Sequence, residues 1–480
     1  MTRRKETLQV TKLKRVYNRA KGTFCFDISY QTAPAQRSQR TREVAEAFGL
    51  GEDTTQQFTL YDNVQLKIRP TDIVLITGDS GSGKSALLKA LKADLGTEAQ
   101  DAKDLNIKPD TPIIETVGET TTRALEVLSK VGLNDAFLFL RSYAELSDGQ
   151  KHRYQIASLA QTSAQWWILD EFTSTLDRDT AKIVAYNLQR LARAQGKAVI
   201  AATTHADLLR DLVPNVHIHK RYGKQVTVRY HPNAKAKTCS LTRQMHVEQG
   251  TTTDYKALSP FHYRTGRLPP SRNIFVLKRK AELCGVIVYS YPSPMCFGRS
   301  KAWRGTFTEL QQQVSIISRV VVHPKYRSIG LGEKIIHETL PICGTPYAEA
   351  VAVMAKYNPF FEKAGMQKTA QSQPHPAVTK ALAQLQSLGF DAALLSSESH
   401  NQQRLNQIGT QPVLEVLQEL SRLNGAVRKR IANLTNVYPK HEEFVNKIGS
   451  LDAGGLAKVL KRLSFAAQTK VYLFWAGSQL

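Results

Sequence analysis

The apolar positions of the first 225 residues fall into short unbroken runs that alternate with stretches of helical spacing. DIVLIT at 72–77, WWIL at 166–169 and AVIAAT at 198–203 read as strands, short apolar runs of β-formers. ALLKALKADL at 86–95 and KHRYQIASLAQ at 151–161 have helical spacing and no breaker. Further on, QVTVRY alternates like a strand and leads into a Lys-rich link, so a boundary is expected near 225–240. The stretch 274–292 reads as a β-hairpin, and 314–340 as a long strand, a turn and a helix. From 371 to 480, apolar residues at spacings of three and four, broken by Gly and Asn, predict a helical accessory region. The expected organisation is α/β: domains at 1–225 (with a basic N-terminal extension) and 226–370, then helices over 371–480.

A length of 480 residues suits about three domains. The five cysteines are odd in number and contain no C-x-x-C pair, which speaks against a disulfide framework or a thiolate zinc site. No run reaches the roughly 18 apolar residues of a membrane span, and the basic start MTRRKETLQVTKLKR is not followed by the apolar stretch of a secretory signal. A cytoplasmic location is expected. Charge changes the picture more: 65 Lys and Arg stand against 41 Asp and Glu, a formal +24. The excess avoids 51–212, which is −4, and crowds 213–310, which is +13. That block holds Lys220, Arg221, Lys224, Arg229, Lys235, Lys237, Arg264, Arg267, Arg272, Lys278, Arg279 and Lys280. A polyanion partner is expected, nucleic acid first, since each neutralised phosphate releases counterions, and an anionic membrane surface second. RKR at 428–430 with Lys458, Lys461 and Arg462 either extends that surface or supplies polar helix faces.

The strand at 72–77 runs into GDSGSGKS at 78–85 and then a helix. In G-x-x-x-x-G-K-[ST], Gly78, Gly81 and Gly83 let the backbone N–H groups of the loop, with Asp79, Ser80 and Ser82, curl around a β-phosphate. Lys84 reaches the β- and γ-phosphates, Ser85 ligates Mg2+, and the helix start adds its positive dipole end. WWILDE at 166–171 ends a strand in two carboxylates: Asp170 to hold Mg2+ and Glu171 to orient or deprotonate the attacking water. LSDGQ at 146–150 lies between these motifs, and STLD at 174–177 and a strand ending at His205 follow them. Five elements in this order closely resemble the ATP-binding cassette (ABC) ATPases, with Walker A, signature, Walker B, D-loop and switch histidine. The resemblance implies ATP and Mg2+ as cofactors and an ATP-dependent head-to-tail homodimer. In it Ser147, Gly149 and Gln150 of one copy would meet the nucleotide held by the other, Asp177 would cross the interface, and His205 would contact the γ-phosphate. Two departures stand: Glu115 occupies the place of the Q-loop glutamine, and Tyr30 and Phe58 are alternative adenine-stacking residues.

RSIGLG at 327–332 places Gly330 and Gly332 beside a helix start, where backbone N–H groups can approach a pyrophosphate. VVVHPKYRSIGLGEKII resembles motif A of the GNAT acetyltransferases, and EAVAVMAKYNPFFEKAGM at 349–366 resembles the strand and helix that follow in that fold. The resemblance implies a GNAT-like α/β acyltransferase domain using acetyl-CoA or another acyl-CoA, bound through Val321, Val322, Arg327, Ser328, Gly330, Leu331, Gly332 and Asn358. Phe361 stands where many of these enzymes carry an acid tyrosine. Tyr357 could substitute for it, Glu349 is a candidate base, and Ser318 and Arg319 could face the acceptor.

Three functions compete on the sequence. The first is an ABC-type ATPase coupled to a GNAT-like acyltransferase that acts on or with nucleic acid, with base modification as one form. The second is an ATP-regulated N-acetyltransferase of proteins or small molecules. The third is the ATPase subunit of a transporter, disfavoured for want of a membrane domain and a recognisable Q-loop.

Overall fold

The computed structural model describes residues 8–32, 38–50, 57–231, 238–262, 268–353, 355, 358–392, 394–420, 425–434 and 440–477. Tyr357, Lys235, Lys237, Arg264 and Arg267 lie outside these residues. The chain forms two compact units, one of residues 1–267, 274–287 and 320–335, the other of 268–273, 288–319 and 336–480.

In the first unit a six-stranded sheet has the order Ala99–Asp101, Trp166–Leu169, Ala198–Thr203, Ile73–Gly78, Val216–Lys220, Val226–Tyr230. All neighbours are parallel except the last pair. Strands of this kind are covered on both faces, which is why their sequences do not alternate. The side-chain period of two still decides which core each residue enters. Ile73, Leu75, Trp167, Leu169, Val199 and Ala201 pack with the helices Asp148–Leu159 and Arg178–Gln195. Val74, Ile76, Trp166, Ile168, Ile200 and Ala202 pack with the helix Lys84–Leu95. That second face is closed by an antiparallel sheet of Leu8–Asn18, Thr23–Thr32 and Gln57–Lys67, through Phe24, Phe26, Ile28 and Tyr61.

The hairpin expected at 274–292 is present as the neighbouring strands Ser271–Arg279 and Glu282–Ser290, with Lys280 at φ 55° in its two-residue turn. In the second unit, Val314–Ile316 run parallel to Tyr347–Glu349. That pairing stops after three residues, although the two strands continue to Val322 and Ala352. Among the described residues, the region expected to be helical from 371 does pack six helices on one core, from Pro376–Ser387 to Ala453–Ala466, but then forms a strand. Lys470–Ala476 inserts between Tyr347–Ala352 and Gln367–Ser372, antiparallel to both. The β-branched and aromatic run VYLFW, placed beside two unpaired strand edges, explains the difference.

A buried ion pair organises this unit. Arg299 donates from Nε to Glu349 Oε2 at 2.9 Å and from Nη2 to Oε1 at 2.6 Å, and Tyr472 Oη donates to Oε2 at 2.8 Å. Glu349 is wholly buried, and Arg299 nearly so. The remaining Arg299 nitrogen donates to the carbonyls of Ser293 and Pro294. Gly298, at φ 85°, lets the chain pass over Tyr472, whose Cβ would lie 2.8 Å from an added Cβ. The candidate base Glu349 is therefore corrected: its carboxylate is the counterion of Arg299 and has no free oxygen facing an acceptor. Glu349→Ala should cost about 3–5 kcal/mol, because it strands a buried guanidinium. Chemical denaturation should read this loss, with ATP affinity unchanged; a variant as stable as the parent would contradict the role.

Candidate functional site

The strand Ile73–Gly78 ends at the carboxyl edge of its sheet, and its register aligns the motifs there. Leu169 pairs with Ala201, which pairs with Leu75, so Asp170 and Glu171 emerge level with Ile76 and Thr77, at the same end of the sheet as the turn at Gly78. Gly78 has φ 145°, and a Cβ on it would lie 1.9 Å from the Lys220 carbonyl oxygen. Gly81 and Gly83 also have positive φ, and Gly83 is the left-handed cap of Lys84–Leu95. The loop is a cradle that side chains would fill, and this fits a phosphate group bound by backbone N–H.

Lys84 Nζ donates to the carbonyls of Gly78 at 2.8 Å and Asp79 at 2.6 Å, and burial lowers its pKa against the opposing charges of Asp79 and Asp170. Ser85 Oγ donates to Asp170 Oδ1 at 3.1 Å, so the two expected Mg2+ ligands meet. Glu171 follows at φ 54°, a strained conformation for a non-glycine residue, with its N–H donating to Asp170 Oδ1 at 3.0 Å. His205 lies just beyond Ala198–Thr203, and burial, helped by the Arg178 charge, lowers its pKa. These residues can hold the phosphates and Mg2+ of ATP, and Glu171 can orient water for hydrolysis.

The signature forms a helix start. Ser147 caps Asp148–Leu159, and Gln150 closes a capping box with the Ser147 N–H at 3.0 Å. Gly149 leaves room for Leu176 of the STLD segment, whose Cδ2 would lie 2.8 Å from an added Cβ. Among the described residues no hydrogen bond or ion pair joins Ser147, Gly149 or Gln150 to the Lys84 loop.

Other expectations are revised. Glu115 is exposed on a 3-10 turn, whereas Lys103 Nζ lies 3.4 Å from Asp170 Oδ2. Tyr30 and Phe58 face each other across neighbouring strands and are partly buried, while two tyrosines that the sequence did not single out touch the loop itself. Tyr61 Oη donates to the Gly83 carbonyl at 2.9 Å, and Tyr222 Oη to the Ser80 carbonyl at 2.7 Å. Neither carries a motif: Tyr61 lies within the strand Gln57–Lys67, and only Tyr222 has the signal of a position just after a strand, Val216–Lys220.

The second glycine turn is anchored within the same unit. Ser328, at φ 74°, accepts from Asn187 Nδ2 at 2.7 Å. Arg327 donates to the carbonyls of Val322, Asn134 and Phe261, and burial lowers its pKa. It is thus a brace of the turn and is not free for a pyrophosphate, which corrects that expectation. Val321 and Leu331 are buried apolar residues. Gly330 has φ 86° with open space where a Cβ would stand, and Gly332 lies in the helix Leu331–Thr339. Asn358 is exposed, and Phe361 is buried beside Phe360. Ser318 Oγ is bonded to Ser290 Oγ at 2.7 Å.

The turn also meets the helix that follows STLD. Asp177 caps Arg178–Gln195 by accepting from the N–H groups of Asp179 and Thr180. Asp179 Oδ2 then receives Arg279 Nη1 at 2.7 Å and Lys325 Nζ at 2.8 Å. Tyr326 Oη donates to Glu282 Oε2 at 2.6 Å in the same cluster. Burial raises the Asp179 pKa, but hydrogen bonds and charge from Arg279 and Lys325 outweigh it and bring it down to about 2.

The basic face is thinner than the sequence count. Lys220 is buried against backbone carbonyls, Lys278 is paired with Glu248, Lys224 with Asp62, and Arg279 with Asp179. Of the triplet 278–280, Lys280 alone has no ionic partner among the described residues.

Among the described residues no group of three or more His, Cys, Asp or Glu could hold a metal, and no helix is long and apolar enough to cross a membrane.

No family model matches the chain. The cytochrome c biogenesis ATP-binding export protein CcmA of Ruegeria pomeroyi is 30% identical over 166 residues, 31% of this chain and 78% of that protein. The lipoprotein-releasing system ATP-binding protein LolD of Novosphingobium aromaticivorans is 28% identical over 219 residues, 38% of this chain and 96% of LolD. The methionine import protein MetN of Streptomyces coelicolor is 27% identical over 210 residues, 35% of this chain and 59% of MetN. A dimeric post-hydrolysis structure of the cassette MJ0796 with ADP and Pi covers 36% of this chain and 92% of its own at 22% identity, with a TM-score of 0.31. Strand, loop, carboxylate pair and signature helix together define a P-loop ATPase, and the chain belongs to the ABC-type ATP-binding proteins, which bind and hydrolyse ATP with Mg2+.

Lys84→Ala removes the loop's only ammonium and should weaken ATP binding at least a hundredfold without lowering the melting temperature of the free protein. Calorimetric titration checks this; retained affinity would remove Lys84 from the site.

Proposed function

We propose that the cassette is an ATP-driven switch governing an acyl-CoA-binding domain of GNAT-like type that acts on or with nucleic acid. The observation that carries the reading is the Asp179 junction. Asp179 lies two residues after the STLD segment, and Lys325 lies two before Arg327 at the start of the glycine turn. A shift of the helix start on nucleotide binding would therefore be passed to the turn through charge-assisted contacts. In the proposed head-to-tail dimer the boxed signature offers ATP a helix N-terminus, and Asp177 lies at the junction of both events.

Support for acyl-CoA is the strand, left-handed Gly330 and helix start, together with strands that stop pairing beyond Ile316 and Glu349. The acyl-CoA would supply an activated thioester. An acceptor amine forms the new C–N bond, the C–S bond breaks, a base takes the amine proton, and the thiolate leaves with a proton. Glu349 is not that base, and Tyr357 remains a candidate acid.

A second reading is favoured by the relatives, whose names all describe ATP-binding proteins of import, export or release systems. On it, the chain is the ATPase partner of a transporter. Those matches cover 31–38% of the chain, so they speak to the cassette and leave the rest without a task. ATP-regulated acetylation of proteins or small molecules is the remaining alternative, in which the basic surface would take acidic substrates.

Glu171→Gln should hold an ATP-bound dimer, read by light scattering; a monomer at saturating ATP would end the head-to-tail proposal. Gly330→Glu places a strained carboxylate in the turn and should weaken acetyl-CoA binding more than tenfold at unchanged ATPase rate. Equal coenzyme affinity would overturn the acyl-CoA assignment. ATP hydrolysis with DNA, RNA and radiolabelled acetyl-CoA separates the readings. Label on nucleic acid supports the proposal, label on protein or small amines supports the acetylation alternative, and hydrolysis indifferent to both additions, with no label transferred, supports the transporter.

A further inference from the structure

The loop between Glu282–Ser290 and Phe307–Gln313 borders an open surface groove of about 540 Å3. Its apolar lining is Met295, Cys296, Trp303, Phe307 and Leu310. Met295 is 64% exposed and Phe307 56%, although hydrophobic side chains of this size usually find cover. Trp303 is partly buried against the cluster of Ala370, Tyr472 and Phe474, and Gly305 lets the chain pass close to it, since a Cβ there would lie 2.6 Å from the indole Cη2 and 2.9 Å from Glu309 Oε2. The lining thus offers one packed ring and one exposed ring.

Its charge is one-sided. Glu309 is occupied in a capping box, accepting from the Thr306 N–H at 2.7 Å and Oγ1 at 2.9 Å, and Glu349 is occupied by Arg299. Lys301 and Arg304 on the same loop have no acidic partner among the described residues, and Arg304 lines the cleft. Burial pushes the Cys296 thiol up to about 11, so no thiolate offsets these cations at neutral pH. An occupant that matches flat apolar walls and a cationic rim is an aromatic ring on an anionic tether.

We propose that this cleft seats one unstacked base of a single-stranded nucleic acid, between Trp303, Phe307 and Met295, with its flanking phosphates on Lys301 and Arg304. This rests on the nucleic-acid partner proposed above. Arg299 reads no base edge, since all its nitrogens are bonded to Glu349 or to the carbonyls of Ser293 and Pro294, and Thr306 Oγ1 donates to Glu309. Recognition is therefore by stacking, which every base permits, and a paired base must first leave its stack. An acidic peptide or an anionic lipid would satisfy the rim but not the rings.

The test uses the full chain and a fluorescein-labelled dT12, a mixed-sequence 12-mer and its duplex, followed by anisotropy. Both single strands should bind more tightly than the duplex and within about threefold of each other. Trp303→Ala and Phe307→Ala should each weaken single-strand binding about tenfold and leave duplex binding unchanged, while Trp303→Phe should retain it. Far-UV circular dichroism and chemical denaturation confirm that each variant is folded, and Phe307, exposed at a helix start, serves if Trp303→Ala does not fold. Variants that bind single strands like the parent would overturn the cleft assignment while the nucleic-acid partner stands. Parent protein that binds no nucleic acid at low salt would overturn the partner as well. Binding of fluorescein-labelled polyglutamate or of phosphatidylserine vesicles that Trp303→Ala and Phe307→Ala weaken, while neither variant weakens dT12 binding, would assign the cleft to another occupant.

Discussion

The strand Ile73–Gly78 is closed on every side: parallel partners hydrogen-bond along both edges, and apolar layers cover both faces. A strand so enclosed leaves its sheet only at the carboxyl end, and there the Lys220 carbonyl occupies the position of a side chain. Glycine at 78 follows from that crowding as much as from phosphate chemistry. Once the chain turns, the parallel register does the rest. Trp166–Leu169 and Ala198–Thr203 deliver Asp170 and His205 to the same edge, which is where open α/β sheets bind ligands. Ser85 meets Asp170 because both sit on elements fixed by this one strand.

A second constraint is electrostatic. Asp179 is partly withdrawn from water, and removing either cation beside it would leave the carboxylate uncompensated. The cluster therefore behaves as a unit: Arg279 and Lys325 cannot leave Asp179 for a polyanion without cost. This is why a basic triplet in the sequence does not become a basic surface. It also ties Asp177, the cap of the same helix, to the segment that enters the glycine turn, so that on the proposed reading nucleotide and coenzyme chemistry share one helix terminus.

The cassette was legible in the sequence because its chemistry demands residues that side-chain packing alone would not select: glycines at left-handed positions, adjacent carboxylates after an apolar run, and a serine three residues before a glutamine. The hairpin at 271–290 was legible for a simpler reason, its two β-rich runs and short turn. Glu349 shows where such reading stops. A carboxylate on an apolar strand looks the same whether it is a base or a counterion, and its partners Arg299 and Tyr472 lie 50 and 123 residues away. Lys470–Ala476 was missed because its strand character depends on two edges formed elsewhere in the chain. Tyr61 and Tyr222 carry no spacing that marks them as neighbours of the phosphate loop.

Which polyanion or cargo the ATPase serves is decided outside the cassette, since phosphate loop, Mg2+ ligands and signature are common ground for every reading. After the internal pairs are removed, Arg221, Arg229, Lys280, Lys301 and Arg304 are among the cations without acidic partners in the described residues. Two of them share a short loop with Met295, Trp303 and Phe307. Cations needed only for solubility would not require an exposed ring beside them, and Phe307 would not be left exposed if it served packing alone. A surface that keeps both pays in stability for contact with something both flat and negative. That coincidence is the ground of the proposed reading, in which the acceptor is a nucleic acid and not an acidic protein.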